Sequence, residues 1–218
     1  MNSVYENEEF VSRTTAEFIR RGFPILQSHK LAATDAAHVA RLLEYMSPPA
    51  NASILDAGCG VGAVAEIMSE LRPDLRFTLL NISPSQLGFA PDFPKIHADF
   101  HHIPREDASF DVVMFNFALG HGDLEKCVTE ASRVLRLGGI LFLYELTADD
   151  ADQYYVFERV GYKPHSLSDL KKVSLPFSPR QFFEPPTTIH DFVSLLGVGV
   201  VAGYGFDRMR PIVCRFVK

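Results

Sequence analysis

Along the chain, apolar residues change their spacing near position 50, and the two regimes predict different elements. Before it they recur three to four residues apart, the period of a helix with one buried face. Val39, Leu42, Leu43 and Met46 share such a face, which predicts a helix opening at Thr34 or Asp35 and ending at Ser47-Pro48-Pro49. An earlier helix is marked by Thr14 and Glu17, spaced as a capping box, with Arg20-Arg21-Gly22 as its stop. From Ser53 the apolar residues gather into short continuous runs at 54–55, 77–80, 112–115 and 140–146. Helical stretches at about 62–71 and 124–135 separate them. Short apolar strands alternating with helices predict an α/β fold, its mostly parallel sheet covered on both faces. Such a sheet takes its ligand beyond the carboxyl ends of its strands.

After Leu146 the alternation lapses. Residues 148–187 mix prolines with aromatics, among them Phe157, Tyr162, Phe177, Phe182 and Phe183, a composition too apolar for a disordered linker. They are expected to form a cap over the mouth of the site, with Tyr5 and Phe10 completing its wall. Removal of residues 1–30 is then expected to spare cofactor affinity and abolish turnover. A short helix near 189–195 and strands near 198–203 and 212–217 finish the chain. The whole reads as one domain over 1–218: a helical segment (1–50), a core (51–147), the cap (148–187) and a closing helix with two strands (188–218).

Composition narrows the function. With 47% hydrophobic and 22% charged residues the chain has the balance of an ordinary globular protein. A net charge of −6 argues against a phosphate backbone as main ligand, so no nucleic-acid partner is expected. The longest apolar stretch, 192–206, is interrupted by glycines, and no membrane insertion is expected. Cys59, Cys127 and Cys214 show no paired spacing, and the acidic start lacks the basic, apolar pattern of a signal peptide, so the expected location is cytoplasmic. His97, His101 and His102 lack the spacing of a metal site, and no metal is expected.

The segment with the most chemistry is Ile54-Leu55-Asp56-Ala57-Gly58-Cys59-Gly60-Val61-Gly62-Ala63. A buried strand runs into a glycine turn that opens a helix, bringing backbone N–H groups close to a ligand. Gly58, Gly60 and Ala63 also satisfy a dinucleotide fingerprint. Asp56 separates the readings: a carboxylate at the strand end repels a pyrophosphate and suits a ligand with an ammonium group.

Asp56 through Gly62 resembles the first motif of the class I S-adenosylmethionine (SAM)-dependent methyltransferases, and the resemblance runs through Leu146. It implies a Rossmann-like three-layer sandwich with a mostly parallel seven-stranded sheet, N-terminal helices and a cap insertion after the fifth strand. It implies SAM as cofactor and S-adenosylhomocysteine as product. Asp56, Gly58, Cys59 and Gly60 would hold the methionine end. Asn81 with Ile82, Ser83 and Gln86 stands where ribose is gripped, although Asn replaces the usual acidic residue. Asp99 and Phe100 match the adenine-side motif, and Asn116 and Phe117 the fourth. Asn116 is not followed by the prolines of base-methylating relatives.

Transfer from SAM requires alignment and, for some acceptors, removal of a proton. His121, just past the fourth strand, is the leading candidate base. Tyr144 and Glu145, at the end of the fifth, are further candidates, of which strand alternation lets only one face the substrate. The combined expectation is methyl transfer to a small hydrophobic or aromatic metabolite, compatible with a homodimer. The alternatives are a same-fold enzyme acting on protein or RNA, with Lys171 and Lys172 on a basic rim, and a non-catalytic SAM-binding subunit.

Overall fold

A computed structural model describes residues 7–149, 161–173, 177–189 and 209–218. Helix α1 (Glu8–Arg20) begins earlier than the capping-box spacing predicts. Asn7 is its N-cap, accepting from the Phe10 N–H at 3.1 Å, and Thr14 is therefore mid-helix. A two-residue strand β1 (His29–Lys30) follows, then α2 (Asp35–Met46), capped by Thr34 as expected.

The remaining elements alternate in the predicted way. They are β2 (Ser53–Ala57), α3 (Ala63–Leu71), β3 (Arg76–Asn81), α4 (Pro84–Phe89), β4 (Lys95–His97), β5 (Phe110–Asn116), a 3-10 turn (Leu119–His121), α5 (Leu124–Val134) and β6 (Leu135–Thr147). Then come α6 (Leu167–Lys172), β7 (Arg180–Phe183), β8 (Thr188–Ile189) and β9 (Arg210–Val217).

Seven strands form one sheet in the order β4-β3-β2-β5-β6-β9-β7, in which β9 alone runs antiparallel to the rest. Strand alternation builds two cores. Leu55, Val113 and Leu141 face α5, meeting Val128 and Ala131. Ile54, Val112 and Phe142 face the opposite way, toward Leu42 of α2 and Met68 of α3. The strand order reverses between β2 and β5, and the crevice at their carboxyl ends is where such sheets bind ligands.

Two features differ from the sequence-based expectation. Residues 180–183, read as part of a cap, form the edge strand β7. Its Phe182 packs edge-on against Phe216 at 5.3 Å between centroids, and Phe183 meets Tyr45 at 5.1 Å. Second, β1 pairs antiparallel with β8, so the segment before α2 is tied to the far part of the chain. The predicted helix near 189–195 and strand near 198–203 fall, but for residue 189, outside the described residues, as do Tyr5 and Phe157.

Candidate functional site

Strand β2 ends in a turn that only glycine accommodates at its first position. Gly58 has φ +79°, and a Cβ there would lie 2.5 Å from Cβ of Ala118. Its N–H and that of Cys59 both donate to the Leu80 carbonyl, at 2.8 and 3.1 Å, which folds the turn back over β3. Gly60, at φ +56°, differs: an added Cβ would meet nothing within 4 Å. Its backbone faces open space, and that space is a cavity of about 340 Å³ at the carboxyl edge of the sheet.

All the sequence-predicted site residues line this cavity except Ser83, Tyr144 and Glu145. At its β2 and β5 side lies Asp56, 2% exposed, whose pKa burial pushes up to about 7, with the Asn116 amide beside it offsetting part of that shift. The amide atoms of Asn116 are buried, and neither its Nδ2 nor its Oδ1 reaches a partner at full hydrogen-bonding geometry. Among the described residues the Asp56 carboxylate meets no cation, only the neutral Asn116 amide, which leaves chemistry for a ligand to complete.

On the β3 side the amides are already committed. Asn81 Oδ1 accepts from the Ser83 N–H at 3.0 Å, while its Nδ2 donates to the Gly60 carbonyl at 3.1 Å and to Gln86 Oε1 at 2.9 Å. The substitution of Asn for an acidic residue thus has a local reason, since a carboxylate could donate to neither oxygen. Gln86, whose Oε1 accepts from Asn81, lines the cavity with its Nε2 as its remaining amide donor group. Ser83 is fully buried instead of lining the cavity. It caps α4, accepting from the Gln86 N–H, and donates to Glu8 Oε2 at 3.3 Å. Glu8 also accepts from the backbone N–H and the hydroxyl of Ser85, so α1 is fastened to the first turn of α4.

Asp99 accepts through Oδ1 from the N–H of His101 at 2.8 Å and from its Nδ1 at 2.6 Å. His101 Nε2 accepts from the Asp123 N–H at 2.9 Å, so the ring proton sits on Nδ1 and the ring orients Asp99. His121 lines the cavity with Nδ1 directed at the Gly161 carbonyl at 2.9 Å, and burial lowers its pKa. It is therefore a neutral imidazole at physiological pH, with Nε2 as the basic nitrogen.

The structure gives Tyr144 and Glu145 other work. Tyr144 is fully buried, donates to the His29 carbonyl at 2.9 Å and stacks on Phe117. Glu145 accepts at Oε1 from the N–H groups of Ala118 and Leu119, at 2.9 and 2.8 Å, and at Oε2 from the Tyr162 hydroxyl at 3.1 Å. It holds the 3-10 turn that carries His121, and burial pushes its pKa up to about 7. The Glu145 carboxylate is engaged by this turn and by Tyr162, the Tyr144 hydroxyl by His29, and neither residue lines the cavity, so neither is placed to act as a base.

The apolar wall also comes from an unexpected place. Phe177 packs on Phe216, and none of Phe177, Phe182 and Phe183 lines the cavity. Phe18, Ile19, Phe23 and Ile25 do, together with Gln27. Phe10 is 51% exposed and does not line it. The signal for this wall was Phe23-Pro24-Ile25-Leu26, an apolar run in a connection that solvent alone would leave polar.

These residues fit SAM. Asp56 suits its ammonium, Gly60 leaves room for close approach, and Gln86 offers a donor on the ribose side. Among the described residues no group of His, Cys, Asp and Glu is arranged to hold a metal ion. No helix among them is long and apolar enough to cross a membrane.

Comparison with known proteins agrees. A family model described as a methyltransferase domain matches residues 55–143. The chain is 29% identical over 163 residues to a malonyl-[acyl-carrier protein] O-methyltransferase of Dechloromonas aromatica, covering 74% of this chain and 57% of the relative. It is 31% identical over 102 residues to ribosomal RNA-processing protein 8 of Caenorhabditis elegans, covering 47% and 27%. The chain thus spans little more than half of the first relative and about a quarter of the second. Among solved structures, the [4+2]-cyclase SpnF superposes with a TM-score of 0.78 at 17% identity, covering 99% of this chain and 96% of that one. A geranyl diphosphate C-methyltransferase of Streptomyces coelicolor A3(2), solved with S-adenosylhomocysteine, gives 0.73 at 14% identity, covering 84% and 75%. The matched segment, the strand order and the glycine turn together liken residues 55–143 to the methyltransferase domain of the class I SAM-dependent enzymes.

Proposed function

We propose that this protein transfers a methyl group from SAM to a small, predominantly apolar or aromatic metabolite. The observation that carries the reading is one cavity with two unlike walls. Asp56, the glycine turn, Asn81 and Gln86 form a polar wall suited to the cofactor. Phe18, Ile19, Phe23 and Ile25 form an apolar wall suited to an acceptor. The name of one relative, a ubiquinone/menaquinone biosynthesis C-methyltransferase of Bartonella quintana, supports a small acceptor, as does the net charge of −6.

The bound cofactor supplies an electrophilic methyl group. The chain's own residues orient and exclude. Asp56 fixes the ammonium, Asn81 and Gln86 face the ribose, and Asp99, steadied by His101, stands with Phe100 and Ile82 at the adenine end. Helix α1 and residues 23–27 shut out water. His121, neutral and held through Nδ1, accepts a proton at Nε2 from acceptors that must lose one.

The test has two stages. Isothermal titration should show saturable binding of SAM and S-adenosylhomocysteine and none of NAD. Transfer of labelled methyl is then screened against fatty, quinone and phenolic acceptors, with His121→Ala expected to cost on the order of 100-fold in kcat at nearly unchanged S-adenosylhomocysteine affinity. Binding of NAD in place of the adenosyl compounds would refute the cofactor, and transfer only to RNA or protein would refute the acceptor class.

A further inference from the structure

One polar side chain stands out on the apolar N-terminal wall. Gln27 is 4% exposed, lines the cavity and is oriented from behind by a buried histidine. His38 Nδ1 accepts from the Leu31 N–H at 3.0 Å. That nitrogen is therefore unprotonated, and the proton of the neutral ring is on Nε2. Nε2 lies 2.6 Å from Gln27 and donates to Oε1, which leaves the Gln27 amide nitrogen pointing away from His38. Among the described residues that nitrogen has no partner, and it is not among the sealed, unsatisfied atoms. Its two protons open on the cavity.

The position of Gln27 indicates what it meets. His38 lies against Tyr144, with ring centroids 5.5 Å apart, and Tyr144 stacks on Phe117, the residue after Asn116. Gln27 therefore sits at the β5 and β6 side of the crevice, with Asp56 and Asn116, and away from the adenine side marked by Asp99. A ligand that gives Asp56 an ammonium group as an α-amino acid carries a carboxylate one carbon away. Among the described residues no lysine or arginine lines the cavity, so the donors they offer that carboxylate are neutral ones. Asn81 has spent its amide on Gly60 and Gln86.

We propose that Gln27, held by His38, donates to the carboxylate of the cofactor's amino-acid end, making the N-terminal segment part of the cofactor site. This rests on the SAM reading above, and it assigns to a residue outside the glycine-turn segment the task of distinguishing the whole cofactor from its truncated nucleoside. It also gives residues 23–27 a function besides covering the acceptor.

The test compares S-adenosylhomocysteine with 5′-methylthioadenosine, which lacks the amino-acid end, by titration into the full chain and into Gln27→Met. The variant should lose about ten- to a hundredfold in S-adenosylhomocysteine affinity, the range for a hydrogen bond to a charged group. Its affinity for 5′-methylthioadenosine should stay within about twofold, which also shows that it has folded. Equal losses for both ligands, or undiminished S-adenosylhomocysteine binding, would overturn the assignment to Gln27 alone. Failure of the unaltered chain to bind either ligand would overturn the SAM reading with it.

Discussion

If Asp56 receives the cofactor's ammonium group, binding must expel a proton, and the structure sets the size of the effect. Burial places the Asp56 pKa at about 7 in the free protein. At pH 5.5 only about 3% of the free protein then carries the ionised carboxylate, against about half at pH 7. An ammonium group seated against it favours the ionised form and draws its pKa back below the experimental range. S-adenosylhomocysteine should thus bind about fifteenfold more tightly at pH 7 than at pH 5.5. Nearly one proton should leave per molecule bound at pH 5.5 and about half a proton at pH 7. Titration calorimetry in two buffers of different ionisation enthalpy measures both quantities. Asp56→Asn should bind weakly, with no pH dependence over this interval. A flat affinity and no proton release in the unaltered protein would refute the pairing of Asp56 with the ammonium.

Further predictions follow from neighbouring groups. Glu145 has a folded pKa of about 7 against an ordinary 4.5, so it is an acid whose pKa is raised on folding. The raised pKa carries almost no penalty below pH 4.5, and the penalty grows as pH rises toward 7 and levels off above it. Glu145→Gln, which retains an acceptor for Ala118 and Leu119, should therefore gain about 3 kcal/mol relative to the unaltered protein between pH 4.5 and pH 8 in urea unfolding. A constant difference would contradict the buried-carboxylate account. Gly60→Ala should remain folded, losing about 1 kcal/mol for its positive φ, yet fail to bind S-adenosylhomocysteine. Gly58→Ala should destabilise by several kcal/mol, on the order of an overpacked core, because its methyl collides with Ala118. The two variants distinguish a turn that only folds from one that also approaches a ligand. Deleting residues 1–30 should abolish S-adenosylhomocysteine binding, since Phe18 and residues 23–27 wall the same cavity as Asp56. Retained affinity in a folded truncation would restore the expectation drawn from sequence.

The central sheet was legible because its strands are uninterrupted apolar runs, and the helices between them keep a clear period. The glycine turn was legible because Asp56 and three alternating glycines leave few alternatives. Other parts carried weaker signals. Strand β7 is Arg-Gln-Phe-Phe at a sheet edge, where two polar residues next to two aromatics show no alternation. Strands β1 and β8 are two residues each, too short for any period, and they meet across about 160 positions of chain. Alternation in β6 said that Tyr144 and Glu145 face opposite sides. It could not say that the Leu119–His121 turn would present N–H groups to Glu145 and remove it from the cavity. The commitment of Asn81 to Gly60 and Gln86 depends on how the turn folds back over β3, which no local spacing encodes. Gln27 and His38 are eleven residues apart and meet only because residues 27–31 pack against α2.

The most direct test of the account is a crystal structure of the full chain with S-adenosylhomocysteine. The account predicts the ammonium group within hydrogen-bonding distance of Asp56, the carboxylate on Gln27, the ribose beside Asn81 and Gln86, and the adenine between Ile82 and Phe100 near Asp99. The ligand's sulfur should face the apolar wall of α1, with His121 nearby. A ligand lying elsewhere, or in this crevice with its adenine at Asp56, would contradict it.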